Sequence, residues 1–202
     1  MIRRTIISTV VVACMLSTLA LGTAQSTGAK VETWKLDPVH CMALFRVQHA
    51  GAGQFWGRFN DVAGTIDYPR DDASAPKFNV VIKTSSIDTG TAKLDRNLQG
   101  PDFFNAREFD SITFKSTAAK RIGPKKWTVT GDLTMLGKTE SIEVVVETTG
   151  IIGNPVVAKA GWEATFTIFR SDFGMNWGVD NGALGDEVKL IVGLEGDTGP
   201  GA

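Results

Sequence analysis

The chain has 202 residues, of which 43% are hydrophobic, and a formal charge of −1 at pH 7. This length suits one domain with a sizeable core. A nearly neutral chain lacks the basic surface that attracts nucleic acids and anionic lipid surfaces, so neither is a predicted partner.

The first predicted element is an export signal over residues 1–24. Two arginines precede an uncharged run over 5–21, and Gly22 and Ala24 are small residues suited to a cleavage site. This order is typical of a secretory signal peptide cut near Ala24, which predicts a periplasmic or secreted protein. An uncleaved anchor and a lipoprotein lipidated at Cys14 are the alternatives. Cleavage removes two of the 21 basic residues and no acidic one, which leaves 19 against 22 and a charge near −3.

After residue 24, alternating apolar and polar residues predict strands along most of the chain. In the run 162–168, Trp162 and Phe166 share one face while Glu163 and Thr167 share the other. Such alternation is the pattern of a strand with one dry face. The runs interpreted as strands are 34–37, 41–48, 63–68, 78–83, 112–115, 127–135, 142–147, 162–168 and 189–195.

Short linkers between these runs predict how the strands connect. Turn-like segments such as 122–125 and 136–138 imply that consecutive strands are antiparallel neighbours in a meander. A meander of eight or nine strands must close or stack into a sandwich, because open edges aggregate. Glycines within strands (Gly131, Gly161 and Gly193) favour the bends of a closed sheet. The predicted fold class is therefore all-β, an antiparallel barrel.

One segment departs from the β pattern. In Thr91–Phe104, Leu94 and Leu98 lie at helical spacing ahead of a pair of phenylalanines, and Pro101 interrupts any longer helix. We predict a short helical connection that packs over one end of the barrel.

No linker or internal repeat divides the chain after the export signal. The predicted organisation is an N-terminal segment over 25–32, a single barrel domain over 33–196 and a flexible, glycine-rich tail over 197–202.

The chain carries no motif of a hydrolase, a phosphate-binding loop or a paired-cysteine metal site, so no enzyme activity, metal or cofactor is predicted. His40 and His49 are about 30 Å apart in an extended strand, too far to hold one metal ion. His40 and Cys41 are adjacent and would face opposite sides of a strand, which argues against a catalytic pair. Cys41 is the only cysteine after cleavage, and we predict that it is a small buried residue.

Aromatic residues dominate the predicted inner faces. They are Phe45, Trp56, Phe59, Phe103, Phe104, Phe114, Trp162, Phe166, Phe173 and Trp177. Small barrels fill their interior with side chains, whereas barrels of eight strands can also enclose a ligand. The residue pattern alone leaves both interpretations open.

The chain resembles the YceI-like family of exported, lipocalin-like proteins associated with polyisoprenoid binding. The motifs that carry the resemblance follow in order as Trp34–His40, Phe45–His49, Gly57–Phe59, Ser86–Gly90, Leu94–Leu98, Asp102–Phe104, Ile112–Thr117, Gly131–Thr134, Arg170–Met175 and Gly185–Val188. The resemblance implies a lipocalin-like extended barrel of about eight strands, with a short helical connection near residues 91–104. It also implies a tunnel for an isoprenoid-like or other long-chain amphiphile. The chain departs from the family pattern at Cys41, where the family usually has serine.

The resemblance and the aromatic pattern together predict a ligand site. Its residues are His40, Phe45, His49, Trp56, Arg58, Asp95, Arg96, Leu98, Phe103, Phe104, Phe114, Trp162, Phe166, Phe173 and Met175. Four of these, His49, Arg58, Asp95 and Arg96, are predicted at the mouth, where they would orient a polar head group. Asp95 and Arg96 could instead form a solvated turn or a structural ion pair.

The predicted function is an exported binding or carrier protein for a long-chain apolar or amphiphilic molecule. One alternative is an enzyme on the same barrel that uses His49 with Asp95 or Cys41, and another is a structural domain with a solid core. A homodimer is possible, and stable membrane insertion is not expected after cleavage.

Overall fold

The computed structural model describes residues 31–69, 75–154 and 158–199. The predicted export signal and the end of the predicted tail lie outside the described residues. No helix within these ranges is long and apolar enough to cross a membrane. The strands are β1 (Val31–Leu36), β2 (Met42–His49), β3 (Gly53–Phe59), β4 (Val62–Pro69), β5 (Lys77–Lys83), β6 (Ile87–Asp88), β7 (Ser111–Gly123), β8 (Lys126–Met135), β9 (Lys138–Gly153), β10 (Ala158–Phe169) and β11 (Leu184–Asp197), with helix α1 (Ala92–Leu98) between β6 and β7.

Eight of these strands form a closed ring of antiparallel pairs, in the order β1-β4-β5-β7-β8-β9-β10-β11. The ring closes where β1 pairs with β11, Lys35 opposite Asp197 and Leu36 opposite Gly196. This confirms the predicted all-β antiparallel barrel of about eight strands.

Three walls of the barrel are each broken into two strands. Both β1 and β2 pair with β11, where Leu36 lies opposite Gly196 and Met42 opposite Gly193. Strand β3 pairs with β2 and β4 pairs with β1, so β3 and β4 together form the next wall. Strand β6 pairs with β3 and β5 pairs with β4, so these two form the wall after it. The eleven strands therefore make one up-and-down meander of eight walls.

The break between β1 and β2 spans residues 37–41. Pro38 within it has no N–H to donate to a ladder. The Asp37 N–H still donates to the Glu195 carbonyl (2.8 Å), and the buried Cys41 thiol also donates to that carbonyl (3.3 Å). The Glu195 N–H in turn donates to Cys41 Sγ (3.2 Å), so the thiol occupies the gap in the ladder. A serine hydroxyl has the same donor and acceptor capacity, which explains why either residue suits this position.

Four aromatic residues block one end of the barrel, here called the closed end. Trp34, Tyr68, Trp127 and Trp162 are all buried, with ring centroids of neighbouring pairs 5.8 to 6.4 Å apart in tilted or edge-on arrangements. The Tyr68 hydroxyl oxygen accepts hydrogen bonds from Trp127 Nε1 (3.4 Å) and Thr148 Oγ1 (3.0 Å). Trp162 Nε1 is buried without a hydrogen-bond partner among the described residues, so tilted and edge-on ring packing contributes most to this plug.

The opposite end is covered by the connection from β6 to β7, residues 89–110, here called the cap. Leu98 and Phe103 are buried, and the Phe104 ring meets Phe59 edge-on at 5.2 Å between centroids. The predicted helical connection is confirmed. The helix ends at Leu98 because Pro101 disfavours helical backbone in the residue before it.

The sequence analysis does not predict strand β3, which contains Gly53 and Gly57. The structure accounts for Gly57, because the Phe45 ring from the neighbouring strand occupies the space that a Cβ atom would need. Gly131 lies under the Phe114 ring in the same way. A ring packed over a strand glycine replaces the contacts that the missing side chain would make.

Replacing Gly57 by alanine should destabilise the barrel by about 1–3 kcal/mol, because the new methyl group and the Phe45 ring cannot share one space. The matched control is Gly53→Ala in the same strand, where a Cβ atom would meet nothing within 4 Å. Urea unfolding of both variants measures the difference. Equal stabilities of the two variants would contradict the packing explanation.

Candidate functional site

A cavity of about 140 Å³ lies inside the barrel between the closed end and the cap. Trp162 lines it at the closed end, and Phe104 lines it under the cap. Thr113 and Arg170 are the lining residues with polar side chains, and the others are apolar. The strands supply this wall because their alternate residues point inward.

The structure places eight of the predicted ligand-binding residues in the cavity wall. They are Phe45, Leu98, Phe103, Phe104, Phe114, Trp162, Phe166 and Met175. Alternation also identifies other lining residues that were not named as site residues, such as Val80 and Val192, since they share a face with predicted inward positions. That these residues bind a ligand stays a prediction.

Seven of the predicted ligand-binding residues lie outside the cavity lining. They are His40, His49, Trp56, Arg58, Asp95, Arg96 and Phe173. Phe173 is buried in the core, and the other six lie at or near the surface.

His40 belongs to a charged cluster on the outside of the break between β1 and β2. Its Nδ1 atom is 2.7 Å from Asp37 Oδ2 and 3.8 Å from Glu195 Oε1. Lys159 Nζ lies 2.7 Å from Glu195 Oε1 and 3.5 Å from Asp37 Oδ2. Asp37, His40 and Glu195 have the spacing of metal ligands, but the Lys159 ammonium already lies against both carboxylates. The cluster therefore ties the break to β10 and β11.

Hydrogen bonding in this cluster shifts the pKa of both members of the closest pair. The bonds from His40 and from the Val39 N–H lower the pKa of Asp37 to about 2. The bond to Asp37 raises the pKa of His40 above 6.5, because it stabilises the charged imidazolium.

Arg58 and Asp95 hold the start of the cap. Arg58 donates to Asp88 Oδ2 through Nη2 (2.9 Å) and Nε (3.1 Å), and the Gly90 N–H donates to Asp88 Oδ1 (2.9 Å). The Gly90 N–H is the largest cause that lowers the pKa of Asp88, to about 2. Asp95 Oδ1 accepts from the Thr89 N–H (2.8 Å) and hydroxyl (2.6 Å). The geometry therefore gives Arg58 and Asp95 structural partners.

The other polar candidates are spread over the surface. His49 is exposed at the end of β2, and Arg96 is exposed on α1. Trp56 is on the outer face of β3, where the Arg46 guanidinium lies 5.8 Å from its ring centroid. The structure does not bring these residues together at one mouth.

The catalytic alternative requires His49 to meet Asp95 or Cys41. No hydrogen bond or ion pair joins these side chains in the part of the chain that the structure describes. Burial raises the pKa of the Cys41 thiol, which disfavours the nucleophilic thiolate.

Arg170 is the charged residue of the cavity wall, and the sequence analysis did not predict it as a site residue. Its side chain is buried, and its guanidinium donates to four backbone carbonyls: Gly185 (2.7 Å), Met175 (2.8 Å), Trp177 (2.8 Å) and Leu184 (2.9 Å). Burial lowers its pKa, and the charge of Asp186 opposes that effect.

Arg170 thereby holds the loop between β10 and β11 against the capped end of the barrel. Its motif, Arg170–Met175, carried part of the resemblance. The available signal was an arginine directly after the apolar pair Ile168 and Phe169.

The comparisons with known proteins agree with this architecture. The model of the YceI-like domain matches residues 34–196. Protein YceI of Salmonella arizonae is 35% identical over 175 residues, which covers 85% of this chain and 90% of the relative. The crystal structure of the Campylobacter jejuni YceI protein has a TM-score of 0.68 and 26% identity, and the match covers 91% of this chain and 98% of that one.

A third comparison concerns a more distant protein. A polyisoprenoid binding domain from Saccharophagus degradans, implicated in plant cell wall breakdown, has a TM-score of 0.64 and 15% identity. The match covers 85% of this chain and all of that domain, and it supports the fold alone.

The closed meander and its apolar cavity define a lipocalin-like barrel. The extent of the domain match and the identity to the Salmonella relative then place the chain more narrowly. It belongs to the YceI-like family.

Replacing Arg170 by methionine should destabilise the protein by about 3 kcal/mol or more, because four carbonyls in a buried region lose their donor. The control is Arg121→Met, since Arg121 also donates to two backbone carbonyls but is exposed to water, which can replace it. Thermal unfolding compares the variants. An equal loss of stability in both variants would show that the burial of Arg170 does not determine the effect.

The Asp37–His40 pair should stabilise the fold most between pH 3.8 and 6.5. As the pH falls below 3.8, this stabilisation is lost gradually, because Asp37 becomes protonated around its folded pKa of about 2. As the pH rises above 6.5, the stabilisation is lost when the pH passes the raised pKa of His40 and the imidazole becomes neutral. NMR titration should show that Asp37→Asn lowers the pKa of His40, with His40→Gln to assign the signal. An unchanged His40 titration in that variant would show that Asp37 is not the cause.

Proposed function

We propose that this protein is an exported carrier that holds the hydrocarbon part of an isoprenoid-like or other long-chain lipid inside the barrel. The observation that carries the proposal is the almost wholly apolar cavity between the closed end and the cap. Burying a hydrocarbon there gains about 25 cal/mol per Å² of apolar surface.

The same wall selects what can be enclosed. The guanidinium of Arg170 is already bonded to four carbonyls, and no carboxylate lines the cavity. A ligand hydroxyl or carboxylate inside would lose its bonds to water. The Thr113 hydroxyl and the Trp162 indole N–H are the groups of the described lining that could replace them, so burying a polar end still costs about 1 kcal/mol or more. The polar end of the ligand therefore stays outside the cavity.

The volume limits how a long chain can fit. Ligand pockets usually measure about 300–1,000 Å³, and an apolar cavity of about 150 Å³ accommodates a benzene molecule. The cavity of about 140 Å³ therefore holds roughly a ring-sized group as it stands. A longer chain requires the cap to move, and the contacts that must yield are the ring pairs Phe59–Phe104 and Phe103–Trp177, at 5.2 and 5.4 Å between centroids.

Two further observations support the proposal. The structurally similar Saccharophagus degradans domain is named for polyisoprenoid binding. The pattern of residues 1–24 is that of an export signal, which supports a periplasmic or secreted location.

Gentle purification followed by solvent extraction and mass spectrometry should recover a long-chain lipid in about equimolar amount. A bound lipid survives purification because the cavity excludes water from its chain. Empty extracts from several hosts, together with no uptake of added polyprenyl alcohols, would count decisively against the carrier proposal.

Filling the cavity should abolish lipid binding while the barrel stays folded. Ala164 lines the cavity on β10, and Ala164→Phe would place a phenyl ring in space of about the size of benzene. Its neighbour Thr165 is exposed on the outer face, so Thr165→Phe adds the same ring without filling the cavity. Lipid recovery is compared between the two, with circular dichroism to show that both are folded. Undiminished recovery with Ala164→Phe would place the lipid elsewhere.

A further inference from the structure

The outer surface of β2 and its neighbours β3 and β11 carries apolar and basic side chains side by side. The pairing register places Trp56, Arg46 and Lys189 in one row across the three strands. The next row contains Arg58, Leu44 and Ile191. These six residues, with Met42 beside them on β2, are here called the β2 face.

Apolar side chains form the middle of the β2 face. Trp56 is 46% exposed, and Leu44, Ile191 and Met42 are half-buried. Next to Met42 lies Gly193, above which a Cβ atom would meet nothing within 4 Å, so the surface there is open. A half-exposed indole among aliphatic side chains is a feature of interaction surfaces.

The charges on this face are positive. Arg46, Arg58 and Lys189 belong to it, while Glu163 and Glu187 lie at its borders. Asp88 pairs with Arg58 from β6. Arg46 stacks on Trp56, and its Nε atom has no hydrogen-bond partner among the described residues. With Arg58 paired, Arg46 and Lys189 are the two cations at the centre of the face that have no carboxylate partner among the described residues.

An indole flanked by arginine and lysine matches the interface of an anionic bilayer. Tryptophan rings favour the head-group region, and each basic side chain near an anionic surface adds attraction. A second copy of the chain fits less well, because a symmetric contact would press the same cations against one another.

We propose that the β2 face docks the protein on a bilayer that contains anionic phospholipid. This goes beyond the proposed function and does not require a lipid in the cavity. Docking through the outer face of a barrel wall is peripheral, and no residue of the face is inserted deeply.

Vesicle sedimentation tests the electrostatic part. The protein is purified as its host exports it, its N-terminus is determined by mass spectrometry, and it is mixed with phosphatidylcholine vesicles with or without phosphatidylglycerol. Binding should require phosphatidylglycerol and weaken as salt screens the charges. The double variant Arg46→Gln/Lys189→Gln should bind about 25-fold more weakly, from about five-fold per charge. Lys120→Gln, which removes one exposed charge on β7, should change binding little.

Fluorescence quenching by brominated lipid tests the orientation. Trp56 and Trp177 are both about half exposed, the first on the β2 face and the second at the capped end. Trp56→Phe should remove the quenching that vesicles cause, whereas Trp177→Phe should retain it.

Three outcomes would overturn the proposal. The first is equal binding to vesicles with and without phosphatidylglycerol, or binding to neither. The second is quenching that depends on Trp177 and not on Trp56, which would indicate docking by the capped end. The third is a dimer in light scattering that Trp56→Ala disrupts, with no vesicle binding, which would make a second copy the occupant.

Discussion

The barrel depends on strand β11, which must pair with two different strands along one edge. Its C-terminal part meets β1 and closes the ring, while the rest meets β2, and five residues interrupt the wall between them. The peptide group of Glu195 lies opposite this interruption and would lose its ladder partners there. The Asp37 N–H and the Cys41 thiol supply them. The ring can close beside an interrupted wall only because the Asp37 N–H and the Cys41 thiol form hydrogen bonds with the Glu195 peptide group.

The capped end is built on a different principle from the closed end. Aromatic packing alone is dense enough to seal the closed end. At the other end, polar anchors hold long connections over the cavity: Asp88 and Asp95 fix the start of the cap, and Arg170 gathers four carbonyls of the loop before β11. Polar groups thus shape the entrance, and the wall that a ligand would touch remains apolar.

The alternation of apolar and polar residues was sufficient to predict the barrel and much of the cavity wall, because every second side chain of a strand faces inward. Phe114 and Phe166 are examples. The period does not reveal strand β3, because Gly57 has no side chain and is covered by the Phe45 ring of the neighbouring strand. Nor does it reveal polar partners such as those of Asp95 and Arg170, since these lie in loops whose course depends on tertiary contacts. Motif resemblance marked these residues but not their contacts.

The aromatic plug at the closed end leaves the capped end as the side by which a molecule could enter the barrel. Trp34 and Trp162 are almost completely buried, so a molecule inside cannot pass out between them. Entry and departure must therefore use the same route, in opposite directions. A carrier of the kind we propose would therefore deliver its lipid by diffusing with it, and several copies placed in line could not form a continuous conduit.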